Sequence, residues 1–328
     1  MRWRRGRHTA IVLLHIDTDF AGDPDDACAL AMVLGWPGVD ITGVTTVADP
    51  DGRRAGYVRH FLDLAGRADV PVASGAAVSS TTSRPMGEIP DHDRYWATPV
   101  TPYLSPPDAA LALLDRSIDG GATIAAIGPY TNLAQLEDAR PGRLGGAQVV
   151  AMGGWAGPLD ADLPPWGPGR DWNVQCDTAA AITLLEHASV TWVPIAVTAR
   201  THLRAADLPR LSESGRLGKL LARQAQAHAD DLHTADLGRA HTGLPDDLLN
   251  FHHDPLACAV ALGWSGVTGS PMTVEPVLED QVLRFEPREI GLTCRVVTAV
   301  DGPAFAETWL RAVEGAQRGV RRFGALGQ

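Results

Sequence analysis

Five aspartates fall within ten positions near the start of the chain: Asp17, Asp19, Asp23, Asp25 and Asp26, in the stretch HIDTDFAGDPDDACAL over residues 15–30. Carboxylates this close repel one another at neutral pH, so something must cancel their charge. A hard divalent cation does so, because Ca2+ and Mg2+ take oxygen ligands from several carboxylates at once. The competing reading is a well-capped helix. Asp23 suits an N-cap, Pro24 the first helical position, and Asp25 and Asp26 the first turn, where the helix dipole favours acid. Capping and dipole effects contribute about 1–2 kcal/mol together, too little to gather Asp17 and Asp19 as well.

Two later stretches carry similar chemistry. LLNFHHDPLACAVALG (248–263) sets His253 and Asp254 ahead of a helix in which Pro255 fits the first position. Read structurally, Asp254 is an N-cap and His253 a loop residue. GGWAGPLDADLPPWGPGRDWNVQCDTAAA (153–181) puts Asp171 and Asn173 between a strand and a helix, with Asp177 placed to cap the helix that follows. Each stretch has an ordinary explanation alone. All three nevertheless fall after strands or before helices, on the edge where open parallel sheets bind ligands.

The elements that must position these residues alternate strand and helix. AIVLLHIDT (10–18) is an apolar run that fits a buried parallel strand, and alternation along it puts Asp17 and Asp19 on the same face at its C-terminal end. DDACALAMVLG (25–35) places Ala27, Leu30, Ala31 and Leu34 on one helical face. Further strands are expected over 39–48, 70–74, 122–128, 147–153 and 190–196, with helices over 53–66, 107–118, 131–138 and 177–187. This pattern predicts an α/β fold with a mainly parallel, Rossmann-like central sheet, helices on both faces and an active site at the C-terminal edge of the strands. Beyond residue 200 the pattern turns mostly helical (215–232 and 254–263), then β-rich over 272–300, then helical again over 302–316. Pro/Gly-rich stretches over 81–107 and 155–170 read as long functional loops. One domain is expected over 1–328, with its core about residues 10–316.

The 328 residues are 45% hydrophobic with a net charge of −11, which argues against nucleic-acid or anionic-membrane partners because both need a basic surface. The opening MRWRRGR resembles the basic start of a signal peptide, but the apolar run IVLL after it is too short to complete one. Cys28, Cys176, Cys258 and Cys294 are scattered without CxxC spacing, which fits reduced structural thiols in a cytoplasmic protein. No P-loop and no GxGxxG after a strand supports triphosphate or dinucleotide chemistry. A phosphohydrolase that starts with Asp-x-Asp needs a later lysine, and the chain's single lysine, Lys219, falls in an expected surface helix. Among the aromatic residues, Trp166 and Trp96 are candidates to stack on a base, with Trp155 and Trp172 beside them. His228, His233 and His241 read as surface histidines, and Arg53–Arg54 as a solvated helix start.

Four motifs, in this order and spacing, give the chain a family resemblance: DTDFAGDPDDACAL, AIGPYTNLA (126–134), RDWNVQCDTAAA and HHDPLA. Over roughly residues 10–315 it resembles the inosine–uridine-preferring nucleoside hydrolases. The resemblance implies Ca2+-dependent cleavage of the N-glycosidic bond of ribonucleosides to base and ribose, as in purine or pyrimidine salvage, by a homodimer or homotetramer. It places metal ligands at Asp19, Asp26, Asp254 and the carbonyl of Ile127, and puts the base that activates a metal-bound water at Asp25. Asp171 and Asn173 would contact ribose, Met152 would line the sugar pocket, and His253 would stand near the leaving base as its proton donor. Asp17 would orient ligands from behind. The chain departs from the family pattern in four places. FAGDP makes the opening motif two residues longer than the short form Asp-x-Asp-Pro-Gly-x-Asp-Asp. Asp49 stands where Asn is usual, Pro165 and Trp166 occupy the region of a sugar-binding Asn, and DHDRYW (91–96) replaces a His-Gly segment. A nucleoside- or sugar-binding protein without turnover is the alternative these departures leave open.

Overall fold

The computed structural model describes residues 11–324 apart from 22, 90, 91 and 156; the basic opening at residues 1–7 lies outside the described residues. The apolar runs form β1 (Val12–Thr18), β2 (Val39–Thr46), β3 (Val72–Ser74), β4 (Thr123–Ala126), β5 (Gln148–Met152) and β6 (Ser189–Val193). Two short strands that carry no clear sequence signal, β7 (His202–Arg204) and β8 (Leu248–Phe251), pair antiparallel in a small separate sheet. The β-rich segment supplies β9 (Val267–Glu279), β10 (Val282–Pro287) and β11 (Leu292–Val300).

Among the described residues nine strands join in the order β10-β9-β11-β6-β5-β4-β1-β2-β3. The seven from β11 to β3 run parallel, and β9 and β10 add an antiparallel edge. Strand alternation feeds two apolar layers. On β5, Val149 and Ala151 enter one core while Val150 and Met152 enter the other. On β1, Leu14 and Ile16 pack with Leu30 of the helix Asp25–Gly35 and Val313 of the helix Gly302–Gly324. Those two helices approach so closely that a Cβ on Gly35 would overlap the backbone of Ala312 and Ala316. Trp309 reinforces the contact by donating its indole N–H to the Cys28 carbonyl at 3.0 Å.

His15 and Asp17 alternate with the apolar residues of β1 and serve a buried polar chain. Thr45 Oγ1 donates to Asp17 and accepts from His15 Nε2 at 2.9 Å, while His15 Nδ1 meets Ser117 Oγ at 2.9 Å. Because Thr45 has a single hydroxyl proton, His15 carries its own on Nε2. All four cysteines are free, and Cys28, Cys258 and Cys294 are buried. Among the described residues no helix is long and apolar enough to cross a membrane.

Candidate active site

Strand β1 ends at Thr18, so the polypeptide turns before Asp19 and the two aspartates of DTD part company. Asp17 stays beneath the sheet end, where Asn132 Nδ2 also donates to it at 2.7 Å. Asp19 emerges onto a cavity of about 550 Å³. The shared face expected from strand alternation is therefore corrected, because the alternation stops one residue too early. Beside this turn the loop after β4 passes at Gly128, where a Cβ would stand 2.6 Å from the Asp19 nitrogen and 3.0 Å from Asp19 Oδ1. Only glycine permits that approach.

The helix Asp25–Gly35 delivers the next pair. Asp23 Oδ1 accepts the N–H of Asp25 at 2.8 Å and Pro24 already has helical dihedrals, so Asp23 acts as the cap while still lining the cavity. Asp25 and Asp26 then project from the first turn, and Thr18 Oγ1 donates to Asp26.

The helix carrying Asp254 starts at His253, so Asp254 lies inside the first turn and is not the N-cap that the Asp-Pro pair suggests. The cap comes from the neighbouring helix Asp25–Gly35. Asp25 Oδ2 accepts the N–H of Asp254 at 2.9 Å from 229 residues away, and the same carboxylate takes the N–H of His253. This leaves the Asp254 carboxylate free to face the cavity with Asp19, Asp25 and Asp26. Among the described residues the other oxygen of Asp25, Oδ1, is buried with no hydrogen-bond partner.

Burial, joined by mutual repulsion, pushes the proton affinities of Asp25, Asp26 and Asp254 well above the ordinary carboxylate range. For Asp19 burial raises it too, and Arg54 opposes the rise. Arg54 corrects the expectation of a solvated helix start: Arg53 is exposed, but Arg54 is only 2% exposed and lines the cavity. Its guanidinium donates to the carbonyls of Ala48 (2.9 Å), Phe20 (3.0 Å) and Asp19. Ala48 sits at φ 56°, a left-handed conformation that costs an alanine energy, and Arg54 holds that carbonyl in place. Asp49 receives Arg54 N–H, Ala55 N–H and Thr46 Oγ1, so both its oxygens serve the start of the helix Arg53–Leu64.

The remaining expected residues divide into two groups. Ile127, Met152, Asn173, Trp166 and His253 all reach the cavity. Asn173 Nδ2 donates to the Ile127 and Met152 carbonyls at 3.2 and 3.1 Å. His253 Nδ1 meets Thr198 Oγ1 at 2.6 Å, its ring stacks on Phe251, and burial lowers its pKa to about 3. Asp171, by contrast, is withdrawn behind the wall and 1% exposed. Its Oδ2 accepts Gly154 N–H at 2.8 Å, Oδ1 has no partner, and burial raises its pKa to about 7. Trp96 is core, stacked on Tyr57 at 4.6 Å. Trp172 is 54% exposed at the mouth and donates its indole N–H to Asp19 Oδ2 at 3.2 Å. His228 is half-buried and near enough to Asp23 to feel its charge. Arg54, Thr18 and Thr198 carried no signal in the sequence, because their contacts are to residues distant in the chain.

The donor set is entirely hard oxygen, with one orphaned carboxylate oxygen and too little positive charge to balance it, which fits a hard divalent cation. Among the described residues the side chains do not already close into a cage of three or more His, Cys, Asp or Glu. They converge on one cavity without forming it.

A family model described as inosine-uridine preferring nucleoside hydrolase matches residues 14–307. The pyrimidine-specific ribonucleoside hydrolase RihA of Citrobacter koseri is 29% identical over 60% of this chain and 65% of its own length, just under two thirds of that relative. The non-specific ribonucleoside hydrolase RihC of Salmonella enteritidis is 30% identical over 63% of this chain and 69% of its own. The fold matches the purine-preferring ribonucleoside hydrolase from Gardnerella vaginalis with a TM-score of 0.77 at 21% identity, covering 93% of this chain and 99% of that one. The family model spans most of the chain, and the chain belongs to the inosine-uridine preferring nucleoside hydrolase family.

Proposed function

We propose that this protein hydrolyses the N-glycosidic bond of ribonucleosides with the help of a bound calcium ion. The observation that carries this reading is the convergence of Asp19, Asp25, Asp26 and Asp254 on one cavity, with an unpartnered Asp25 oxygen among them. Asp19, Asp26, Asp254 and the Ile127 carbonyl would hold the ion. When bound, it supplies the positive charge that makes water a better acid and fixes the ribose diol.

The chain's own groups do the rest. Asp25, held by the backbone N–H groups of His253 and Asp254, takes the proton from the attacking water on Oδ1. The surplus of carboxylates stabilises the positive charge that builds on the sugar as the C–N bond stretches. His253 is neutral at pH 7. Its Nδ1 meets Thr198 Oγ1, and in the tautomer that carries the proton on Nε2 it would donate a hydrogen bond to the leaving base. Asn173 and Met152 bound the sugar side, and Trp166 offers a face for the base.

The nine-stranded sheet, whose strands come from both ends of the span Val12 to Val300, and the match over 14–307 support one nucleoside hydrolase domain. Free thiols and an acidic balance support a cytoplasmic enzyme, and the family resemblance a homodimer or homotetramer. One observation favours the second reading, a nucleoside-binding protein without turnover: Asp171 is withdrawn from the cavity. The Asp-x-Asp phosphohydrolase reading lacks its lysine, since Lys219 lies exposed in the helix Arg216–Leu232.

The deciding experiment incubates the protein with a panel of purine and pyrimidine ribonucleosides and measures free ribose, with and without a chelator. Chelator-sensitive release supports the hydrolase. Binding without release from any nucleoside supports the second reading.

A further inference from the structure

The cavity carries both signs of charge. Its buried floor holds Asp25, Asp26 and Asp254 with Arg54 beside them, and the exposed Arg170 lines its mouth with Trp166. The Arg170 guanidinium lies 5.2 Å from the Trp166 ring centroid. Among the described residues that guanidinium makes no ion pair, whereas Arg200, Arg204, Arg210, Arg284 and Arg288 are each paired with carboxylates. An arginine left without a counter-ion at the mouth of an acidic cavity is a recognition group in search of an anion.

The pair is also held in position. Arg170 ends the turn Pro168–Arg170, whose Pro168 carbonyl accepts Gln175 Nε2 at 3.1 Å, and Gln175 in turn bonds Leu283 through both its amide atoms. Trp166 packs its edge on Phe251, and Phe251 stacks on His253. This run of rings places Arg170 on the His253 side of the cavity. Under the function proposed above, that is the side from which the base leaves.

We propose that the ribonucleoside this protein hydrolyses carries an anionic substituent, a carboxylate, on its leaving base, and that Arg170 stacked on Trp166 binds it. The inference rests on the hydrolase reading. The reaction balances without further reagents: the C1′–N bond breaks with its electron pair on nitrogen, water oxygen bonds C1′, and one water proton goes to Asp25. A planar heterocycle lies against Trp166 while the guanidinium fork takes its carboxylate in two parallel hydrogen bonds. The same charge offsets the repulsion such an anion would meet from the aspartate floor.

The test uses nicotinate riboside and nicotinamide riboside, which differ only as carboxylate and amide, with uridine and uridine 5′-monophosphate as a second pair. The calcium-loaded protein should show a kcat/KM at least tenfold higher for the carboxylate, and in Arg170→Met the ratio should fall towards one while Arg170→Lys keeps part of it. A ratio that Arg170→Met leaves unchanged overturns the proposal. So does an Arg170-dependent preference for the 5′-phosphate over uridine without a carboxylate preference, which would place the anion on the sugar side. Binding of free nicotinate and nicotinamide, read by tryptophan fluorescence, separates this idea from the hydrolase reading. If no riboside is cleaved but nicotinate binds selectively and Arg170→Met removes the selectivity, the hydrolase reading fails and the anion site stands. If neither cleavage nor binding favours the carboxylate, the anion site fails.

Discussion

Replacing Asp25 by Asn removes a charge and a proton acceptor while keeping nearly the same shape. The amide oxygen can still accept the N–H groups of His253 and Asp254, so the cap on the helix His253–Ala261 survives. Activity should nonetheless fall by about 10²–10⁴, the usual contribution of a positioned general base. Stability should move the other way in the absence of calcium. Burial and Asp23 raise the folded-state proton affinity of Asp25, so its charge at pH 7 disfavours the folded protein, and that penalty grows as pH rises above the ordinary carboxylate range. A neutral amide removes it, and Tm without calcium should rise. Asp25→Ala loses the same chemistry but also leaves two buried N–H groups without an acceptor, at about 1–3 kcal/mol each. The two variants should therefore match in kcat and diverge in stability, and both should keep the calcium-induced rise in Tm, because Asp19, Asp26 and Asp254 remain. The assays are ribose release and thermal unfolding with and without calcium. Turnover by Asp25→Asn within tenfold of the natural protein, with calcium bound, would show that another carboxylate takes the proton, and Asp19→Asn would then be examined. Loss of the calcium shift in both variants would make Asp25 a ligand instead.

Three further outcomes follow from the same geometry. Burial takes the pKa of His15 from 6.5 to about 3, so the folded state binds fewer protons there than the unfolded chain, and its contribution is complete above pH 6.5 and lost as pH falls towards 3. The stability advantage of the natural protein over His15→Gln should shrink by about 2 kcal/mol between pH 7.5 and 5; the raised carboxyl of Asp17 works in the opposite sense but is common to both proteins, and a pH-independent difference measured by urea unfolding would refute the linkage. Gly128→Ala should push Asp19 aside and weaken calcium binding at least about tenfold, or 1.4 kcal/mol, with the far-UV spectrum unchanged; calorimetric titration with calcium checks this. Arg54→Met leaves the carbonyls of Ala48, Asp19 and Phe20 without their donor and should cost about 3–5 kcal/mol in chemical unfolding, whereas Arg53→Met on the exposed neighbour should cost less than about 0.5 kcal/mol.

Much of this molecule is legible along the chain because short-range patterns are physical. Period-two apolar runs mark the strands of the parallel sheet, 3.6-residue spacing marks the helix Asp25–Gly35, and Asp23-Pro24 announces its start. Carboxylate crowding by itself points to a cation and to the C-terminal edge of the sheet. What the residues do to one another there was decided by the tertiary structure. The exit of the chain at Thr18 separates Asp17 from Asp19, although alternation alone keeps them together. Asp25 caps a helix 229 residues away, which takes the capping task from Asp254 and turns that carboxylate to the cavity. Asp171 retreats to hold backbone N–H groups, and Arg54 goes inside because the carbonyls it satisfies are gathered there only once Ala48, Asp19 and Phe20 meet. Local sequence encodes dihedral preference and apolar period, both properties of neighbours. Burial, desolvation and hydrogen-bond partnership belong to residues far apart in the chain, and come into being only when the sheet brings them together.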